Sequence, residues 1–86
     1  MATVTMRYWA AAKQAAGVAE ETISAETLAD ALAAAVAGRD GAATLRAVLA
    51  RSSFLVDGSP VGTRAPDSVL LTDAAVVEVL PPFAGG

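Results

Sequence analysis

Thr27-Leu28-Ala29-Asp30-Ala31-Leu32-Ala33-Ala34-Ala35-Val36-Ala37 sets the architecture of this 86-residue chain. Leu28, Leu32, Ala35 and Val36 recur at helical spacing and make one apolar stripe. Thr27 and Asp30 form a possible capping box, and Gly38 stands just beyond the end, so the spacing predicts the main helix over 27–37. Upstream, Thr3 to Tyr8 alternates, placing Val4, Met6 and Tyr8 on one face as a half-buried strand requires. Good helix formers from Trp9 to Ala16 stop at Gly17, which predicts one or two helical turns before a strand over Glu20 to Ser24.

Downstream of the main helix, Ala42 to Arg51 repeats the helical stripe with Leu45, Val48 and Leu49, leaving Arg46 and Arg51 to water. Phe54 to Val56 reads as a short strand entering an Asp57-Gly58 hairpin turn, and Pro60 confines the next segment to a sheet edge. Pro66-Asp67 and Thr72-Asp73 mark further turns. Val76-Val77-Glu78-Val79-Leu80 is a β-branched strand closed by Pro81-Pro82, which cannot continue a ladder in a sheet interior. This order predicts an α+β domain whose sheet packs its apolar face on the main helix. One domain over 1–80 and a tail over 81–86 account for the whole sequence.

Composition narrows the chemistry. A chain of this size buries only a little over about 60% of its unfolded surface, which leaves little room for a deep active site. Cysteine and histidine are both absent, removing disulfides, thiolate chemistry and the usual neutral-pH base and metal ligand. Ser52, Ser53 and Ser59 have no histidine to activate them, so a hydrolase is not expected. Asp57, Asp67 and Asp73 sit at turns, where Asp is favoured for capping, and no metal site is expected. The net charge is −3, with six scattered basic residues, which is the wrong footprint for nucleic acid. No apolar run approaches the ~18 to 20 residues of a membrane span, and no secretory signal opens the chain, so a cytoplasmic protein is expected. Lys13 reads as a solvated helix residue and Trp9 as the cap of a core edge.

The tail, Pro81-Pro82-Phe83-Ala84-Gly85-Gly86, is the most informative segment. The prolines favour an extended path away from the last strand, and Phe83 to Gly86 can then reach about 13 Å. A flexible Gly85-Gly86 end without Cβ atoms could thread a narrow channel and leave its terminal carbonyl open to attack. A free α-carboxyl with a pKa of roughly 3.3 to 3.7 is an anion at neutral pH and a poor electrophile, so it needs activation. Phe83 belongs to no periodic core pattern and reads as an anchor for a partner's pocket.

Several segments together resemble the molybdopterin synthase small subunit of the MoaD/ThiS sulfur-carrier type. They are Val4 to Ala10, Lys13, Gly17, Thr27-Leu28, Val56-Asp57-Gly58, Leu71-Thr72-Asp73, and Val79 through the terminal Pro-Pro-x-x-Gly-Gly. The resemblance implies a ubiquitin-like β-grasp and a carrier, not an enzyme, with no bound cofactor. It implies an E1-like adenylyltransferase that uses ATP and Mg to activate Gly86, and a sulfur-donating enzyme that leaves a thiocarboxylate there. The large synthase subunit would then receive the tail, and the sulfur would pass to cyclic pyranopterin monophosphate in molybdenum cofactor synthesis. Gly85 is implied as the required neighbour of Gly86, and Leu80, Pro81, Pro82, Phe83 and Ala84 as lining the partner channel. Ala74-Ala75 after Asp73 departs from the family, which often has Gly after that Asp.

Carriers for thiamine thiazole or cysteine synthesis share such a terminus, as does a ubiquitin-like modifier joined to lysines. In each case ordering six tail residues costs about 1 to 2 kcal/mol apiece, whereas burying Phe83 contributes only about 1.5 to 3 kcal/mol. A second contact on the body is therefore expected, on the exposed sheet face near Leu80 and Val61. A synthetic peptide of residues 81–86 should bind the partner much more weakly than the whole protein in a calorimetric titration; equal affinity would refute the second contact.

Overall fold

The computed structural model describes residues 2–82; Phe83, Ala84, Gly85 and Gly86, and the geometry expected of them, lie outside the described residues. The chain runs β1 (Ala2–Tyr8), α1 (Ala10–Ala16), β2 (Glu20–Ala25), α2 (Leu28–Val36), α3 (Ala42–Ala50), β3 (Ser53–Val56), β4 (Ser59–Pro60) and β5 (Val76–Leu80), with a 3₁₀ turn at Pro66–Ser68 before β5. Gly17 ends α1 at φ 81°, and its N–H donates to the Lys13 carbonyl, the left-handed stop that the sequence predicts. Both halves of the capping box are present on α2: the Asp30 N–H donates to Thr27 Oγ1 at 3.1 Å, and the Thr27 N–H donates to Asp30 Oδ2 at 3.3 Å.

Five strands form one mixed sheet in the order β2-β1-β5-β3-β4. β1 and β5 run parallel at its centre, with Met6 opposite Val77 and Tyr8 opposite Val79. The other pairings are antiparallel. Strand alternation puts Val4, Met6, Tyr8, Val77 and Val79 on one buried face, against Leu28, Ala31 and Ala35 of α2 and Leu45, Val48 and Leu49 of α3. Asp57-Gly58 closes the β3–β4 hairpin with both residues at positive φ, 50° and 82°, the backbone that a tight two-residue turn demands.

The turn into β5 accommodates Ala74-Ala75 where the sequence resemblance led to an expected Gly. The Ala75 N–H donates to the Thr72 carbonyl at 3.1 Å and the Ala74 N–H to the Thr3 carbonyl at 2.8 Å, while Asp73 Oδ1 accepts the Thr3 N–H at 2.8 Å. These bonds tie the turn to the start of β1, but they hold Ala74 at φ 69°, where a Cβ is strained. Ala74 is exposed, so its methyl makes no core contact in compensation. Ala74→Gly should raise the stability measured by urea unfolding by about 0.5 to 1 kcal/mol, whereas the same substitution at Ala33, exposed within α2, should lower it.

Candidate functional site

The site begins where β5 ends. Tyr8 and Val79 are partners in the parallel ladder, so the chain leaving β5 emerges beside the residue that leaves β1, namely Trp9. Leu80 is half-buried on the outer sheet face, Pro81 is buried, and Pro82 is exposed. The segment after β5 is thus rooted by one packed proline, and the next proline is exposed. Phe83, Ala84, Gly85 and the expected reactive residue Gly86 lie outside the described residues.

The face opposite the helices carries Thr5, Arg7, Val76, Glu78, Leu80, Leu55 and Pro60, by the same alternation that buries their neighbours. It is open and mixed, with apolar Leu55, Val76 and Leu80 among charges. Arg7 Nε pairs with Glu20 Oε2 at 3.2 Å, an exposed ion pair of small energetic weight. Trp9 Nε1 donates to Glu78 Oε1 at 3.2 Å, tying the ring to the strand that bears the tail.

Two expectations change here. Val61 does not belong to this exposed face. Pro60 pairs with Leu55 on the outside, so Val61 turns inward, where it is 5% exposed in the core. Its backbone N–H donates to the Phe54 carbonyl at 3.0 Å, continuing the edge pairing past Pro60. Trp9 does not cap the core edge. It is 46% exposed and held from outside by Glu78.

Asp57 and Asp73 have the turn role expected of them: Asp57 Oδ1 accepts the Val76 N–H at 2.9 Å, and Asp73 accepts that of Thr3. Asp67 sits in the 3₁₀ turn. Lys13 is exposed on α1. Ser52 Oγ donates to the Val48 carbonyl at 2.8 Å, while Ser53 and Ser59 are exposed strand residues. No helix among the described residues is long and apolar enough to cross a membrane.

A charged network fixes the end of β1 from the helix side. Tyr8 Oη donates to Glu21 Oε2 at 2.5 Å, and Arg39 Nη2 reaches both Glu21 oxygens at 2.6 Å, its guanidinium 5.9 Å from the Tyr8 ring centre. Burial, then the anionic Glu21, pushes the Tyr8 hydroxyl well above its ordinary value. Burial alone would raise the Glu21 carboxyl, but hydrogen bonds from Arg39 and Tyr8 and the Arg39 charge together bring it below its ordinary value. The sequence gives no direct sign of this cluster, because Arg39 lies in the loop between α2 and α3 and reaches back to β2.

Similarity to solved structures now has a geometric basis. The chain is similar to small archaeal modifier protein 1 of Methanosarcina acetivorans, at 25% identity and a TM-score of 0.82, over 100% of this chain and 98% of that one. The fold is the ubiquitin-like β-grasp. It is also similar to a putative subunit 1 of the molybdopterin converting factor from Pyrococcus furiosus, at 21% identity and TM-score 0.69, covering 96% of this chain and 100% of that one. The complex of subunits 1 and 2 of that factor from Helicobacter pylori contains a further match, at 23% identity and TM-score 0.68, covering 98% and 99%. No protein-family model and no curated protein matches the chain. These structural neighbours share the β-grasp fold that the sequence resemblance implies.

The network makes stability depend on pH at both ends. Glu21 has a lowered folded pKa, so its contribution is full above its ordinary 4.5 and is lost as pH falls through the folded value. Tyr8 has a raised one, so its contribution is full below 10.0 and is lost as pH rises beyond that. Melting temperature should hold level between these limits and fall outside them. Glu21→Gln should lower the plateau and flatten the acid limb, and an unchanged acid limb in that variant would count against the network.

Proposed function

We propose that this β-grasp protein is a sulfur carrier for molybdenum cofactor synthesis, working through the carboxylate of Gly86. The observation that carries the reading is the root of the tail: a packed Pro81, then an exposed Pro82, followed in sequence by Phe83-Ala84-Gly85-Gly86. Neighbours that are converting-factor subunits, one of them in complex with subunit 2, support this reading. In the proposed cycle the Gly86 carboxylate attacks the α-phosphorus of ATP on an E1-like enzyme that supplies Mg, and pyrophosphate leaves. A sulfur nucleophile then attacks the acyl carbon of the adenylate, AMP departs, and the terminal oxygen is replaced by sulfur. The sulfur comes from a donor enzyme, because this chain has no cysteine.

In the large synthase subunit, Pro82 to Gly85 would occupy the channel, with Pro81 packed in the body as their root and not in the channel expected of it, while Leu80 and the outer sheet face dock on its rim. Val61 has no part in that contact, being in the core. The thiocarboxylate sulfur would bond to a carbon of cyclic pyranopterin monophosphate, and water would then cleave the acyl–sulfur bond, leaving the sulfur on the pterin and the carboxylate on Gly86. The body's own part is to present and orient the terminus.

A second reading is favoured by the similarity to a small archaeal modifier: Gly86, activated in the same way, would be joined to a lysine amine of another protein. Both readings share the acyl adenylate and differ in the nucleophile. Intact mass of protein purified with its native C-terminus should show one oxygen exchanged for sulfur at Gly86. A chain extended by one unprocessed residue beyond Gly86 should fail to support cofactor assembly in cells. Conjugates of higher mass that vanish on deletion of Gly86, with no sulfur exchange, would assign the modifier role instead.

A further inference from the structure

Trp9 and Val18 are two of the three large hydrophobic residues that stand exposed among the described residues, at 46% and 42%. They lie in the same groove, a volume of about 840 Å³ lined also by Lys13, Gln14, Gly17 and Pro82. The parallel pairing of β1 with β5 explains why Pro82 is there: the chain leaving β5 emerges next to Trp9 and the start of α1. Pro82 is thus at once the last described residue and a wall of the groove, and the next residue in sequence is the aromatic Phe83.

We propose that the groove between α1 and the α1–β2 loop is an intramolecular seat for Phe83–Gly86, with the Phe83 ring against Trp9 and Val18. The four residues reach about 13 Å, of the order of the ~10 Å length of a seven-residue helix such as α1. Charge agrees with this occupant. Lys13 is the chain's only lysine and has no ion-pair partner among the described residues, and a terminal carboxylate is the counter-ion that a seated tail would bring. Only that last contact rests on the functional reading above; the seat for Phe83 does not. Docked and projecting tails are alternatives, so a partner that takes up the tail must draw it from the groove.

Trp9 is the only tryptophan, which makes its fluorescence a reporter of the groove. Acrylamide quenching of Trp9 is to be compared in the full chain, a chain ending at Pro82, and Phe83→Ala, together with nuclear Overhauser contacts between the Phe83 ring and the Val18 methyls in the unaltered protein. A tail seated half the time halves access to Trp9, so both variants should be quenched about twice as strongly as the full chain, at every protein concentration. Lys13→Gln should give an intermediate value and remove any salt dependence. Equal quenching in all three chains and no Phe83–Val18 contacts would overturn the proposal. Protection that grows with protein concentration would overturn it in favour of a second copy of the chain. The Gly86 mass measurement is independent of these outcomes, so failure here and failure of the carrier reading are distinguishable.

Discussion

The parallel ladder between β1 and β5 governs the rest of the molecule. Antiparallel neighbours can be joined by a tight turn, but parallel ones need a long crossover, and here nearly the whole chain between Tyr8 and Val76 is that connection. Because the two strands point the same way, their ends coincide, and the residues after β5 emerge beside those after β1. The register of Tyr8 with Val79 therefore brings the tail root, Trp9 and α1 together. It also sorts the side chains: Met6 and Val77 face the helices, while Arg7 and Glu78, one residue later, face outward.

Most of the fold was legible because its elements are signalled locally. The alternation of Val4, Met6 and Tyr8, the Thr27 and Asp30 cap, the Gly17 stop and the Asp57-Gly58 turn each express a short-range rule that the tertiary structure obeys. The helix over 42–50 and the edge position of Pro60 arose in the same way. At the site, Leu80 stands half-buried on the outer face, whereas Val61 lies in the core.

The departures are long-range. Val61 misled because its inward direction is set by which residue pairs with Leu55, a matter of register that no local pattern reveals. Trp9 misled because a large aromatic next to a buried strand suggests a core, while its indole N–H is answered by Glu78 from a strand at the far end of the sequence. The Arg39, Glu21 and Tyr8 network joins a loop to two strands, and nothing in the spacing of those residues announces it. Ala74 shows the opposite case. The sequence raised a question about the turn, and the backbone resolved it by accepting strain to keep the hydrogen bonds to Thr3.

The two outer strands give the sheet a further property. A protein whose broad face is open to partners risks recruiting copies of itself edge to edge into fibrils. One border is β4, two residues long and ending in Pro60, which has no N–H to offer an incoming strand. The other is β2, which begins with the acidic pair Glu20-Glu21, so two copies meeting there parallel and in register would bring like charges together. The proline border thereby resists an incoming strand, and the acidic end of β2 disfavours parallel stacking, while the face between them stays open.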